Sequence, residues 1–238
     1  CDITYSIKVR AYDADAAEVS AGVNDVILYV FDDNHSFVKE IETTAGTTVR
    51  IEAPEGGHIN VVAWGNLKGG NQIRHTFNQG HHVNTGYVSL KTFTARAITY
   101  YMSPDDLFMG SISILKSERK QEKLLPIHRK TGSMNITVRN IKEHSGLYDD
   151  DFRIEVRETH NRLDFNGSCA GAKDAAYRPA GLFATNTQTG REEFLVPTFN
   201  LLPESGGIDI DIYHGDTLIE TVSSPGGKPI TVKEGLLT

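Results

Sequence analysis

The chain has 238 residues, with 24 Lys plus Arg against 31 Asp plus Glu and a net charge of −7 at pH 7. That acidic balance argues against a nucleic-acid partner, because a phosphate backbone calls for a basic surface. The length suffices for one large or two ordinary domains without disulfide staples. Hydrophobic residues make up 39%, there are 22 glycines, and no apolar run approaches the ~18 residues of a transmembrane helix.

The chain opens on Cys1 with no signal-peptide pattern before it, which predicts a processed bacterial lipoprotein whose first residue is acylated. Two or more acyl chains on Cys1, palmitate among them, would hold a folded domain on a bilayer. The second cysteine, Cys169, has only Cys1 as a disulfide partner and reads as a small buried hydrophobe. Ile3, Tyr5, Ile7, Val9 and Ala11 alternate with polar residues and predict a first strand.

From Val23 to Asn66, turn clusters divide four apolar runs: 25–31, 37–43, 47–53 and 59–64. Asp32-Asp33-Asn34, Ala45-Gly46 and Pro54-Glu55-Gly56-Gly57 supply the reversals, so the stretch predicts an antiparallel meander. Both Val26/Leu28/Val30 and Ile27/Tyr29/Phe31 are apolar, which predicts a strand covered on both faces. The segment 65–86, rich in Gly, His and Asn, predicts a loop, and strand character resumes at 88–93 and 98–102.

The charged run Lys116 to Lys123 reads as a solvated connection. It predicts a boundary between a unit at 1–118 and a second at 119–238. In the second unit Met134/Ile136/Val138 and Phe152/Ile154/Val156 alternate with polar residues, and 193–199 adds a strand ending at Pro197. Ile208/Ile210/Ile212 turn at His214-Gly215-Asp216 into 218–222, a hairpin. Pro229 to Val232 starts one more strand. Two antiparallel β-sandwiches in series fit this pattern.

DVILYVFDDNHSFVKEI, then GGHINVVAWGN, then SPDDLFMG at Ser103 to Gly110 resemble, in that order, the signature of the FimB/Mfa-type fimbrial anchor lipoproteins of Bacteroidetes. His58 departs from it, standing where a tyrosine is expected. The resemblance implies two Greek-key, transthyretin-like β-sandwich domains and further strand sequence towards the C-terminus. It also implies a base subunit that secures a fimbrial shaft to the outer membrane and limits its length.

No catalytic or cofactor pattern stands out. His75, His81 and His82 lack a carboxylate or thiol at metal-ligand spacing, and adjacent residues of an extended segment face opposite ways; a solvated loop cluster is the simpler reading. Asp149-Asp150-Asp151 lacks the alternating ligands and glycine of a calcium loop and reads as an exposed turn. Asp105-Asp106 reads as turn capping. No nucleophile elbow or phosphate loop is present, so the chain reads as non-enzymatic, with no metal or cofactor.

The expected function is therefore a cell-surface lipoprotein, lipid-anchored through Cys1 in the outer membrane and joined to a fimbrial shaft subunit by β-strand addition. Ile3 to Ala11 and Pro229 to Val232 are the candidate strands. The alternative is a surface glycan-binding or adhesive lipoprotein that uses Trp64 as a stacking platform. A buried Trp64 favours the first.

Overall fold

The computed structural model describes residues 2–54, 58–115 and 122–238. Its strands in chain order are β1 (Asp2–Tyr12), β2 (Val26–Phe31), β3 (Phe37–Thr43), β4 (Thr48–Pro54), β5 (His58–Gly65), β6 (Gln72–Arg74) and β7 (Tyr87–Leu90). Then come β8 (Thr92–Ala95), β9 (Ile98–Tyr101), β10 (Phe108–Leu115), β11 (Glu122–Arg129), β12 (Gly132–Arg139) and β13 (Phe152–Arg157). The rest are β14 (Arg162–Asp164), β15 (Cys169–Ala170), β16 (Ala176–Tyr177), β17 (Leu182–Thr185), β18 (Glu192–Leu201), β19 (Glu204–His214), β20 (Thr217–Val222) and β21 (Ile230–Val232). The fold is all-β. A single short α-helix, α1 (Ile141–Ser145), stands among the described residues; Asn140 before it and Gly146 after it both adopt left-handed conformations, which Asn and Gly tolerate best.

The first sheet has the order β3-β2-β5-β10-β11-β1-β4. Its end strands β3 and β4 are joined by the short turn 44–47, so the sheet must curl back on itself. The enclosed face carries Ile7, Val9, Val26, Leu28, Val30, Val61, Leu125 and Ile127, all at most 1% exposed. The opposite face of β2 carries Ile27, Tyr29 and Phe31, which join a second core with Trp64, Ile154, Phe194 and Ile208. With a side-chain period of two, the doubly apolar run of β2 thus lies in two cores at once, as its sequence predicts.

The predicted meander is not how these strands pair. β2 pairs with β3 and with β5, but β4 crosses over to pair with β1, from Asp2↔Pro54 to Lys8↔Thr48. Nor are all ladders antiparallel: β1 runs parallel to β11 and β9 parallel to β16. Parallel neighbours need long crossovers, and here whole groups of intervening strands provide them. The segment 65–86 contains β6, which pairs with β7. Glu192–Leu201 runs on past Pro197, and the β12–β18 register shifts beside it, between Met134 and Ile136; a bulge is where a strand accommodates proline.

Three further sheets complete the fold: β12-β18-β17, β15-β14-β7-β6, and β20-β19-β13-β16-β9-β8 with β21 on β19. The boundary expected at 118/119 falls in residues 116–121, outside the described ones. β11, just after it, belongs to the first sheet, while β8 and β9, before it, join β13, β16 and β19. No helix of the described residues is long and apolar enough to cross a membrane.

Candidate functional site

The stretch Ser103 to Gly110 ties together segments far apart in the chain. Asp106 Oδ1 accepts from Arg129 Nε at 2.7 Å and from Thr131 Oγ1 at 3.1 Å. Its backbone carbonyl accepts from Asn66 Nδ2 at 2.8 Å. Asp106 is thus a tertiary clamp that ties Arg129 and Thr131, at and just after the end of β11, to Asn66, just after β5, a correction to the expected turn cap. Asp105 instead packs against Gly69, where a Cβ would meet its carboxylate. Ser103 Oγ donates to Asn200 O at 2.7 Å and accepts from Asn200 N at 3.0 Å. Leu107 and Phe108 fill the cores at 0% and 1% exposure.

The Trp64-Gly65-Asn66 stretch is the other half of this knot. Asn66 holds φ at +59°, a conformation asparagine tolerates, and its side chain accepts from Asn24 N at 2.7 Å. A Cβ at Gly65 would come within 2.8 Å of Val23. Trp64 is 0% exposed, paired with Ile27 on one side and Met109 on the other. It offers no stacking surface.

A polar concavity of about 360 Å³ opens beside the clamp, lined by Arg129, Thr131, Ser133, Thr198 and Asn200 among others. One wall is β12, an end strand of its sheet. Residues 236–238 lie along its outer edge: Ser133 N donates to Leu236 O at 3.0 Å, Thr238 N to Ser133 O at 2.8 Å and Asn135 N to Thr238 O at 3.3 Å. By the period of two, Thr137 and Arg139 point their backbone groups the same way. Among the described residues no strand pairs with that edge beyond Asn135.

The two strands expected to exchange are both engaged. β1 lies between β4 and β11, and β21 pairs with β19 through Glu204↔Val232 and Ile208↔Ile230. Nothing in local sequence marks the β12 edge instead, because edge or centre is decided by partners distant in the chain.

The remaining polar residues go to separate tasks. His81 Nδ1 accepts from Asn78 N at 3.4 Å and His82 Nδ1 from Asn84 N at 3.2 Å, each holding a turn. The His75 ring stands 4.7 Å from Phe77, edge to face, and burial there pulls its pKa down. His58, at the exposed start of β5, donates its backbone N–H to Asp33. Asp149 faces His214 at 2.6 Å while Asp150 faces Lys142 at 2.6 Å. Among the described residues no three His, Cys, Asp or Glu side chains converge as metal ligands. Cys169 is free and half-buried against the larger core; burial, with Glu234 and Glu204 nearby, pushes its thiol pKa up to about 12, so it is unreactive near neutrality. Cys1 lies outside the described residues.

Comparison with solved structures gives the fold. A candidate adhesin from Bacteroides thetaiotaomicron superposes with a TM-score of 0.71 at 16% identity, over 93% of this chain and 79% of that one. A candidate polysaccharide-binding protein from the same species gives 0.70 at 16% identity, over 89% and 76%. The fimbrial anchor protein Mfa2 from Porphyromonas gingivalis gives 0.67 at 15% identity, over 98% and 82%. No curated protein sequence matches the chain. The sequence model of one family matches residues 1–234, and the chain therefore belongs to the fimbrillin-A associated anchor proteins Mfa1 and Mfa2.

Proposed function

We propose that this chain is a non-enzymatic, cell-surface anchor subunit, held at the outer membrane by acyl chains on Cys1 and joined to a fimbrial shaft subunit by β-strand addition. Family membership carries the reading. The open edge of β12 supplies an acceptor: an end strand leaves a row of N–H and C=O groups that an incoming strand can satisfy. Both edges of β1 are occupied, by β4 and β11, and β21 is a strand of only three residues paired to β19, so the longer edge of β12 beside residues 236–238 is favoured. The same resemblance favours two transthyretin-like units divided near 118/119, with β11 and the β8–β9 hairpin exchanged across the division.

The test is co-purification from intact cells with wild type, Cys1→Ala and Thr137→Pro. Proline at an outward-facing edge position removes a donor the fold does not use and obstructs an added strand. Cys1→Ala is expected to release the protein, with the shaft subunit attached, into the medium. Thr137→Pro is expected to stay on the membrane, fold normally and lose the shaft subunit. Recovery of undiminished shaft subunit with a folded Thr137→Pro protein would remove the β12 edge from the proposal, and absence of shaft subunit from the wild type would remove the anchor role.

A further inference from the structure

The outer face of β2, β5 and β10 changes character along its length. Its first cross-strand row is Ile27–Trp64–Met109, its second Tyr29–Val62–Ser111 and its third Phe31–Asn60–Ser113. The first is all apolar and buried. By the third, the larger core has given way to an amide and a hydroxyl, and the sheet is overhung by two loops rather than packed against strands.

The result is a concavity of about 260 Å³. Val83 and Ile112, both partly exposed, give it accessible apolar surface over a floor of Phe31, Val62 and Phe165, which are 0%, 6% and 3% exposed, and His35, Asn84 and Asn166 form its outer rim. Counting Asn60, Ser111 and Ser113, six of its 12 lining residues are polar, and none is Asp, Glu, Lys or Arg. Charged residues make up 23% of the chain, so their complete exclusion here selects against a charged ligand: an ion would be desolvated with nothing to pair it.

The rim is preformed. Val83 N donates to His35 O at 2.9 Å and Phe165 N to Gly86 O at 3.1 Å, so both overhanging loops are pinned to neighbouring backbone. Asp32 Oδ1 accepts from Asn34 N and Ser36 N, both at 2.9 Å, fixing the turn that carries His35. Asn60, also in the lining, is held by its Nδ2 donating to Asp32 O at 3.0 Å. Little ordering remains to be done on binding.

We propose that this concavity binds a neutral saccharide unit. Amides and hydroxyls both donate and accept, matching vicinal sugar hydroxyls that do the same, while the partly exposed Val83 and Ile112 side chains suit the C–H face of a pyranose ring. The volume lies just under the ~300 Å³ lower bound for drug-sized ligands, which points to one ring, a terminal or branch residue. The site is distinct from Trp64 and independent of the anchor proposal, which can stand or fall without it.

The experiment is saturation-transfer NMR with titration calorimetry on the intact chain. The probes are methyl glycosides of glucose, galactose, mannose and N-acetylglucosamine, with methyl glucuronide and N-acetylneuraminic acid as charged controls. At least one neutral glycoside is expected to bind, with the charged controls at least about tenfold weaker. Ser111→Ala/Ser113→Ala, whose side chains are exposed on the strand, is expected to weaken binding about tenfold. Ser113→Phe, which fills the cavity, is expected to abolish it, with both variants melting like the wild type. Three results would each overturn the proposal: no neutral glycoside binding at about 10 mM, equal binding of the charged controls, or unchanged binding by a folded Ser113→Phe protein. Failure of every glycoside together with loss of hydrophobic dye binding in Ser113→Phe would mark the hollow as an apolar site and equally reject the saccharide.

Discussion

Val9 in β1 lies beside Leu125 in β11 as a parallel partner, and both are 0% exposed in the same core. The N-terminal strand therefore depends on a segment beyond the charged run that superficially ends the first unit. Leu125→Ala is expected to cost about 2–5 kcal/mol, the range for a truncated core leucine, read as a lower denaturation midpoint. A fragment ending at residue 118 lacks β11, leaves the β1 edge bare and is expected to aggregate when expressed alone. Cooperative unfolding of that fragment would contradict the dependence.

Gly110 closes the stretch Asp106 to Gly110 for a steric reason. A Cβ there would stand 2.0 Å from Pro126 O, a backbone atom that cannot swing aside. Gly110→Ala is expected to destabilise by more than about 3 kcal/mol, the upper end for overpacking. Gly70→Ala, with nothing within 4 Å of the new methyl, is expected to be near neutral. Thermal unfolding of the pair separates a steric role from a general glycine effect.

Trp64 has no exposed surface, and its Nε1 has no hydrogen-bond partner among the described residues. Its contribution is therefore volume. Trp64→Phe keeps part of the packing and sacrifices no hydrogen bond, so it is expected to fold with a modest loss. Trp64→Ala is expected to cost about 3–5 kcal/mol. A loss for Trp64→Phe as large as that for Trp64→Ala would indicate a polar role for the indole N–H, which both substitutions remove.

Asp211 is 1% exposed. Burial alone would raise its pKa, but Arg157 and Thr221 hydrogen bonds outweigh that and hold it below the ordinary aspartate value. Glu204 follows the same pattern: burial raises, while Lys173 Nζ at 2.9 Å and Gly206 N at 2.8 Å lower, with a net depression. A depressed folded-state pKa contributes stability that is fully present above the unfolded value and is lost as pH falls through the folded one. The denaturation midpoint is thus expected to decline below about pH 4.5, where ordinary carboxylates begin to protonate. Arg157→Met strands Asp211; because Arg157 is itself 37% exposed, the cost near neutrality is expected at about 1–3 kcal/mol rather than the full value for a buried pair. The difference between variant and wild type should shrink as the solution is acidified. A difference independent of pH would mean that Arg157 acts through packing alone.

The sequence by itself determined most of the longer strands, while the short ones β6 and β14 to β17 escaped it. Period-two alternation marked β1, β4, β12, β13 and β19, and the doubly apolar run of β2 announced burial on both faces, because side-chain direction along a strand is a local property. It also carried the family, since Trp64-Gly65-Asn66 and Asp105 to Gly110 are contiguous words whose left-handed Asn66 and close-packed Gly110 admit few substitutes. Which strand sits beside which was decided only in three dimensions. β4 passes over its chain neighbours to reach β1, β11 joins the first sheet and β8–β9 leave it, because pairing depends on which hydrogen-bonding edges and apolar faces are left open once the others have met. The same non-local accounting made Asp106 a clamp for Arg129, left the edge of β12 open, and gathered Asn60, Asn84, Ser113 and Asn166 around one uncharged hollow.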